Sequence, residues 1–308
     1  MSHLINYPHL ASLAFNTPLY ATPDLVQSVR SVLEPRLLGR LSDLPERMES
    51  GGDPKAREMQ GLRVVGRLAI IPVHGILTAR AGQIDALCQE VLSYEKLRTQ
   101  IHAALRHELV EEVVLDMQSG GGSAMGCKEL ADFIQASTAT KPITALVNFA
   151  SFSACYFLAA ACSRIVCSPT GMVGSIGVII ETYEVSKAEE EFGIRFNTYY
   201  RGAHKNDCSP HEPITDQAIA EIDRRLDNAY ATFTESVASY RGLDLAAVTG
   251  TEARIYSAED ALAARLIDEV APAQEALDSI AARYSGQNTP RRARVSARAG
   301  AMNLQNTL

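Results

Sequence analysis

The stretch "ITALVNFASFSACYFLAAACSRIVCS", residues 143–168, decides the fold. It opens as an apolar strand and continues, from Ala154, as an alanine- and aromatic-rich run suited to a short buried helix. Ser151 and Ser153 stand between the two. A strand buried on both faces would continue in Val and Ile. A membrane span of this length would not hold Asn148, Ser151 and Ser153 with Arg164 close behind. The fitting reading is a buried strand, a turn that places a hydroxyl, a buried helix, and a second strand in "SRIVCS".

The same alternation extends outward. "RLAIIPVHGIL" (67–77) reads as a strand that stops at His74-Gly75, and "VEEVVLDM" (110–117) as another. "SAMGCKELADFIQ" (123–135) is a helix with Cys127, Leu130, Ala131 and Ile134 on one face. "SIGVII" (175–180) and "IRFNTYY" (194–200) read as strands flanking a helix in "EVSKAEEEFG". Ile219, Ile222, Leu226, Tyr230, Phe233 and Val237 form the apolar stripe of a long helix. "ARIYSAEDALAARLIDEV" (253–270) gives strand, helix and short strand. Such alternation predicts an α/β domain around a layered parallel sheet.

Bulk properties narrow the class. The 308 residues are 46% hydrophobic and 21% charged, as in an ordinary globular protein, and the net charge of −7 argues against nucleic-acid binding by the main body. Six cysteines, Cys88, Cys127, Cys155, Cys162, Cys167 and Cys208, show no CxxC spacing and read as reduced thiols of an intracellular protein. The amino terminus lacks a basic stretch followed by a continuous apolar one, so neither a signal peptide nor a transmembrane segment is expected. Residues 41–63 form a polar linker between an amino-terminal segment, 1–40, and the main domain, 64–283. Residues 284–308, rich in arginine and free of acidic residues, read as a disordered tail, with a weak nucleic-acid contact as its alternative.

Three features could carry chemistry. "DMQSGGGSAMG" (116–126) is a strand end followed by Gly120-Gly121-Gly122 and a helix, a loop that exposes backbone N–H groups. It is not a phosphate loop, because Cys127 precedes Lys128. Ser153 is outside a GxSxG elbow, yet a helix starting there sets free N–H groups, that of Ala154 included, beside its hydroxyl. A histidine base is poorly supplied, since none occurs between His107 and His204. "YYRGAHKNDCSPHEP" (199–213) supplies Lys205 instead, beside His204 in a segment read as extended. A lysine held in a dry site gives up its charge and can take a serine proton. Taken singly, each feature also has a plain structural explanation: a flexible turn, a helix-capping serine, a solvated lysine.

Together these stretches resemble the signal peptide peptidase A family of serine-lysine proteases. "QSGGGS", "FSACYFLA", "MVGSIGV" and "RGAHKND" follow the family's order and spacing over about residues 64–275. The resemblance implies the ClpP/crotonase-like layered fold with repeated ββα units. It also implies Ser153 as nucleophile, Lys205 as general base and Ser175 as the residue that orients the lysine. The backbone N–H groups of Gly121 and Ala154 would form the oxyanion hole. Here the glycine-rich loop lacks the family's proline, and Ala154-Cys155 stand where the family carries Gly-Gly.

The opening "YPHLASLAFNTPLYATPD" (7–24) is similar to that of phage head-maturation proteases of the lambda protein C type, members of the same family. The resemblance therefore implies a serine endopeptidase that processes capsid, scaffold or portal proteins, in the host cytoplasm or the prohead. It implies a homo-oligomer, because family sites are completed in rings, and neither metal nor cofactor. Two alternatives keep the fold: a cytoplasmic peptidase degrading signal peptides or other peptides, and a non-catalytic crotonase-like scaffold protein.

Overall fold

The computed structural model describes residues 15–37, 62–80 and 92–285. Nearly all of the polar linker and the arginine-rich tail lie outside these residues.

Strand β1 (Leu19–Ala21) and helix α1 (Pro23–Leu37) come first, followed by β2 (Arg63–Val65), β3 (Leu68–His74) and β4 (Leu77–Thr78). After β5 (Leu92–Ser93) and α2 (Tyr94–Arg106), the order of long strand, short strand and helix repeats in β6 (Glu112–Ser119), β7 (Gly121–Ser123) and α3 (Cys127–Ser137). Next come β8 (Ile143–Phe152), α4 (Ala154–Ala160), β9 (Arg164–Cys167) and β10 (Met172–Gly174). Helices α5 (Ser186–Glu191), α6 (Asp216–Arg241) and α7 (Leu245–Thr249) precede β11 (Ile255–Ser257), α8 (Ala258–Ala263), β12 (Glu269–Val270) and α9 (Ala273–Ser285).

The main sheet runs β11-β10-β8-β6-β3-β2, with β9 joining β8 to β12. Its centre is parallel, β3 on β6 from Leu68 opposite Glu112 to His74 opposite Gln118, and β6 on β8. The edges β2 and β11 are antiparallel. The expected α/β layering is thus observed, with a mixed sheet. Its inner face packs Ile71, Val73, Leu115, Met117, Ala145 and Val147 against α2, α3, α4 and α6. Each of the larger side chains, once buried, contributes roughly 1.5–3 kcal/mol. The outer face buries Leu68, Val114, Leu146 and Val166 beneath Ala276 and Ile280 of α9. Burial on both faces explains why these central strands read as continuous apolar runs.

Caps fix the helix ends. Ser93 Oγ accepts from Lys96 N–H at 3.1 Å and Thr215 Oγ1 from Ala218 N–H at 3.2 Å, starting α2 and α6. Gly242, at φ 60°, ends α6 in the left-handed conformation that glycine adopts freely.

Three local readings change. "SIGVII" forms no strand: the neighbouring strand is Met172–Gly174, and Leu19 pairs with Ile179 as an isolated bridge. "IRFNTYY" also forms none, and its residues lie exposed on the surface, where no sheet edge of the described residues reaches them. The segment with His204 and Lys205 is a 3-10 turn, Ala203–Asn206, closed by Lys205 N–H donating to Gly202 O at 3.1 Å. The stripe on α6 buries Phe233 and Val237 fully but leaves Ile219 exposed, because the helix reaches the core only with its carboxy-terminal half.

Candidate active site

The strand that carries the two serines changes partner on its way to them. β8 pairs with β9 along Thr144–Val147 and with β10 along Ala150–Phe152. Against β6 the register slips between Met117 and Gln118, so that Ser119 stands opposite Ser151. Such bulges re-aim the residues that follow. Ser151 turns into the core, with its hydroxyl 3.3 Å from Cys155 Sγ. Ser153 becomes the turn itself.

Ser153 has φ 54° and ψ −120°, a conformation that side-chain-bearing residues rarely adopt outside functional turns. Its N–H donates to Gly174 O at 2.9 Å, and its C=O accepts from Phe157 N–H at 2.9 Å to start α4. The side chain is fully buried, and Oγ has no hydrogen-bond partner among the described residues. A buried hydroxyl without a partner costs about 1–3 kcal/mol, so something must repay it. Among the described residues nothing accepts from the Ala154 N–H, one of the first-turn donors that an α-helix cannot satisfy internally.

Gly121 faces this turn at φ 104°. A methyl group there would stand 2.1 Å from Tyr20 O, 3.0 Å from Ser153 Cβ and 3.1 Å from Ala154 N. Backbone and contact both demand glycine. The Gly121 N–H is engaged: it donates to Ser119 Oγ at 3.0 Å, and that hydroxyl donates to Gly75 O at 2.5 Å. Of the two oxyanion donors expected from the sequence, Ala154 is free and Gly121 is held by Ser119.

Ser175 lies next to the residue that receives the Ser153 N–H. It is buried, at φ 54°, with its own N–H on Arg254 O at 2.9 Å. Lys205 is exposed and makes no side-chain hydrogen bond or ion pair among the described residues. The chain therefore brings Ser153, Ala154, Gly121 and Ser175 to one place and leaves Lys205 out of hydrogen-bond reach of Ser153 Oγ. The turn around Lys205 is firmly tied nonetheless. His204 Nδ1 bonds Asp207 at 2.8 Å, Gln217 Nε2 donates to Asp207 at 2.7 Å and to Ala203 O at 3.0 Å, and Asn206 donates to Glu212 at 2.6 Å. The His204 and Gln217 bonds hold the Asp207 carboxyl below its usual range. His204 is thus occupied while its neighbour is presented.

Other nucleophiles near the turn are silent. Burial pushes the Cys155 thiol up to about 12, and raises Cys127 further, so neither forms a thiolate near neutrality. One pair escaped the sequence reading: His74 Nε2 lies 3.1 Å from Asp116 Oδ2. The two sit on adjacent strands, a relation visible only once β3 and β6 are in register. Among the described residues no group of His, Cys, Asp and Glu could hold a metal ion, and no helix is long and apolar enough to cross a membrane.

Residues 135–285 match the model of peptidase family S49, the span that holds Ser153, Ser175 and Lys205. Over 305 aligned residues the chain is 30% identical to the capsid assembly protease C of Escherichia phage lambda, covering 92% of this chain and 69% of that protein. The chain belongs to peptidase family S49. It is a serine-type peptidase. The head-tail preconnector protein GP5 of Enterobacteria phage P21 is 32% identical, over 90% of this chain and 57% of its own length. Among solved structures, a ClpP1 variant from Listeria monocytogenes aligns at TM-score 0.41 and 11% identity, covering 66% of this chain and 90% of that one.

Proposed function

We propose that this S49 peptidase is an endopeptidase with a Ser153–Lys205 dyad, acting on capsid-assembly proteins during phage head maturation. The observation that carries the reading is the Ser153 turn: a strained, fully buried serine with an unpartnered hydroxyl, beside a free helix N–H and a close-packed glycine. In the reaction Ser153 Oγ attacks the scissile carbonyl while Lys205 accepts its proton. The developing oxyanion receives the Ala154 N–H, and the Gly121 N–H once it leaves Ser119. Lys205 later returns the proton to the departing amine.

The lysine comes from a neighbouring copy. Next to it in sequence runs an arm with Phe192 81% and Tyr199 92% exposed, and with Ile194, Phe196 and Tyr200 exposed as well. Apolar residues in that density favour burial against another surface. Docking the arm would carry Lys205 to a second protomer's Ser153 and strip water from the ammonium, which favours the neutral amine. Ser175, beside the nucleophile, would then orient it. The capsid-assembly role comes from the name of the lambda relative, a capsid assembly protease at 30% identity.

Co-expression with the capsid, scaffold and portal proteins of the same phage tests the reading. Shortening of at least one of them by the wild type, and not by Ser153→Ala, is expected. Intact partners in both cases would sink it.

A further inference from the structure

The strand that fills the cleft beside Ser153 belongs to the chain itself. β1 lies between two backbone edges. On one side it pairs antiparallel with β7, Leu19 opposite Ser123, Tyr20 opposite Gly122 and Ala21 opposite Gly121. Ala124 N–H to Pro18 O at 3.3 Å and Thr22 N–H to Gly120 O at 3.0 Å extend that ladder at both ends. On the other side Leu19 exchanges two bonds with Ile179, at 2.9 and 3.0 Å, and Asn16 N–H donates to Glu181 O at 2.9 Å. One edge continues the glycine-rich loop, and the other follows Gly174 and Ser175. Both adjoin the nucleophile turn.

Main-chain bonds of this kind are open to any extended peptide. What is particular to β1 is Tyr20. It is 2% exposed, its ring centroid lies 5.7 Å from that of Phe157 and 4.8 Å from that of Phe233, and its hydroxyl donates to Ala229 O at 2.7 Å. Its carbonyl oxygen is the atom on which Gly121 closes, on the same side as Ser153 Cβ and Ala154 N. One residue therefore fills a deep aromatic site with its ring and sets its carbonyl against Gly121, the glycine that also faces the Ser153 turn.

We propose that residues 18–22, held between residues 120–124 and 179–181 beside Ser153, occupy the path of the substrate as an internal competitor, and that the site Tyr20 fills against the stacked Phe157 and Phe233 rings takes an aromatic side chain of the substrate. This rests on Ser153 as nucleophile. The complete burial of Ser153 is then a consequence of occupancy. A substrate displaces β1, rebuilds its ladder, and gains most where a phenyl or phenol ring takes the place of Tyr20.

Labelling of Ser153 by a fluorophosphonate, in the full-length assembled protein, reads the occupancy. Leu19→Pro removes the N–H that bonds Ile179 and should raise the labelling rate about tenfold. The peptide FNTPLYAT, the sequence of residues 15–22, should slow labelling of that variant. Its Tyr→Phe form should keep that potency, and its Tyr→Ala and Tyr→Lys forms should lose about tenfold or more. Wild type labelling as fast as a folded Leu19→Pro, with no effect of the peptide, would make β1 an ordinary structural strand and overturn the proposal. If the variant does not fold, hydrogen exchange in the wild type decides. Saturating FNTPLYAT must deprotect the Leu19 and Tyr20 amides, and unchanged protection overturns the proposal. Failure of Ser153 to label even where exchange shows β1 released would sink the nucleophile assignment instead.

Discussion

The Ser153 N–H donates to the Gly174 carbonyl at 2.9 Å, and that one bond ties the nucleophile turn to the segment carrying Ser175. Gly174 makes the approach at φ 119°, where a methyl group would stand 2.5 Å from Arg254 O. Gly174→Ala should therefore lower Tm by several degrees and reduce turnover more than it weakens substrate binding. Steady-state kinetics beside thermal melts check this, and unchanged kcat would separate the bond from catalysis.

Ser153→Ala should abolish hydrolysis and leave the protein as stable as wild type or slightly more so. The hydroxyl it removes is buried without a partner, and such a group destabilises by about 1–3 kcal/mol. Circular dichroism melts and a peptide assay on the same preparation test both halves. Residual hydrolysis in the folded variant would refute the assignment.

Ser119→Ala frees the Gly121 N–H from its 3.0 Å bond and leaves Gly75 O without its donor. If that N–H must turn to the oxyanion, the variant should keep or raise kcat while losing about 1 kcal/mol of stability. A fall in kcat of a hundredfold or more would mean that Ser119 holds the loop in its working form.

The sequence made some of this legible and hid the rest for physical reasons. Local patterns located β3, β6, α3 and the β8–α4 turn, because apolar periodicity and a strand-to-helix switch are written in neighbouring residues. The choice between Ser151 and Ser153 was not visible in periodicity, since a register slip against β6 sets it. "IRFNTYY" has strand composition, but a strand needs an edge to pair with, and none among the described residues reaches it. Tyr20 went unread because its pocket is assembled by Phe157 and Phe233, far away in the chain. The separation of Lys205 from Ser153 is equally non-local: a motif fixes order along the chain and not which residues meet in space.

His74 and Asp116 make stability depend on pH. The Asp116 bond raises the pKa of His74 above its usual 6.5, partly offset by burial. A raised histidine contributes stability at low pH that is lost as pH rises through its folded value. Asp116→Asn should thus lower Tm by a small amount at about pH 5.5 and by less at about pH 9. The pair is half exposed, so the effect stays small. An equal penalty at both pH values would show the contact to be packing alone.

Glu112 pins the last helix. It is fully buried and accepts from Thr144 Oγ1 at 2.6 Å, Tyr284 Oη at 2.7 Å and Arg283 Nη2 at 3.2 Å. Burial, followed by the carboxylate, pushes the Tyr284 phenol up to about 12, so it remains a donor throughout the neutral range. Glu112→Ala strands all three donors and should cost about 3 kcal/mol, whereas Arg283→Ala, at a partly exposed position, should cost under about 1 kcal/mol. Urea unfolding ranks the two, and equal costs would place the energy in the ion pair.

The base is settled by substitution and mixing. Lys205→Ala should remove activity, and Lys205→Arg should not restore it, because a guanidinium cannot accept the serine proton. His204→Ala should retain most turnover, since His204 serves Asp207 and the turn keeps its Gln217 bonds. Ser153→Ala and Lys205→Ala should each be inactive alone. Co-assembled in equal amounts, they should recover about a quarter of wild-type activity, because random pairing unites an intact serine with a neighbour's intact lysine at that frequency. Both residues acting within one chain would give nothing in the mixture. A dead His204→Ala beside an active Lys205→Ala would replace the lysine by the histidine.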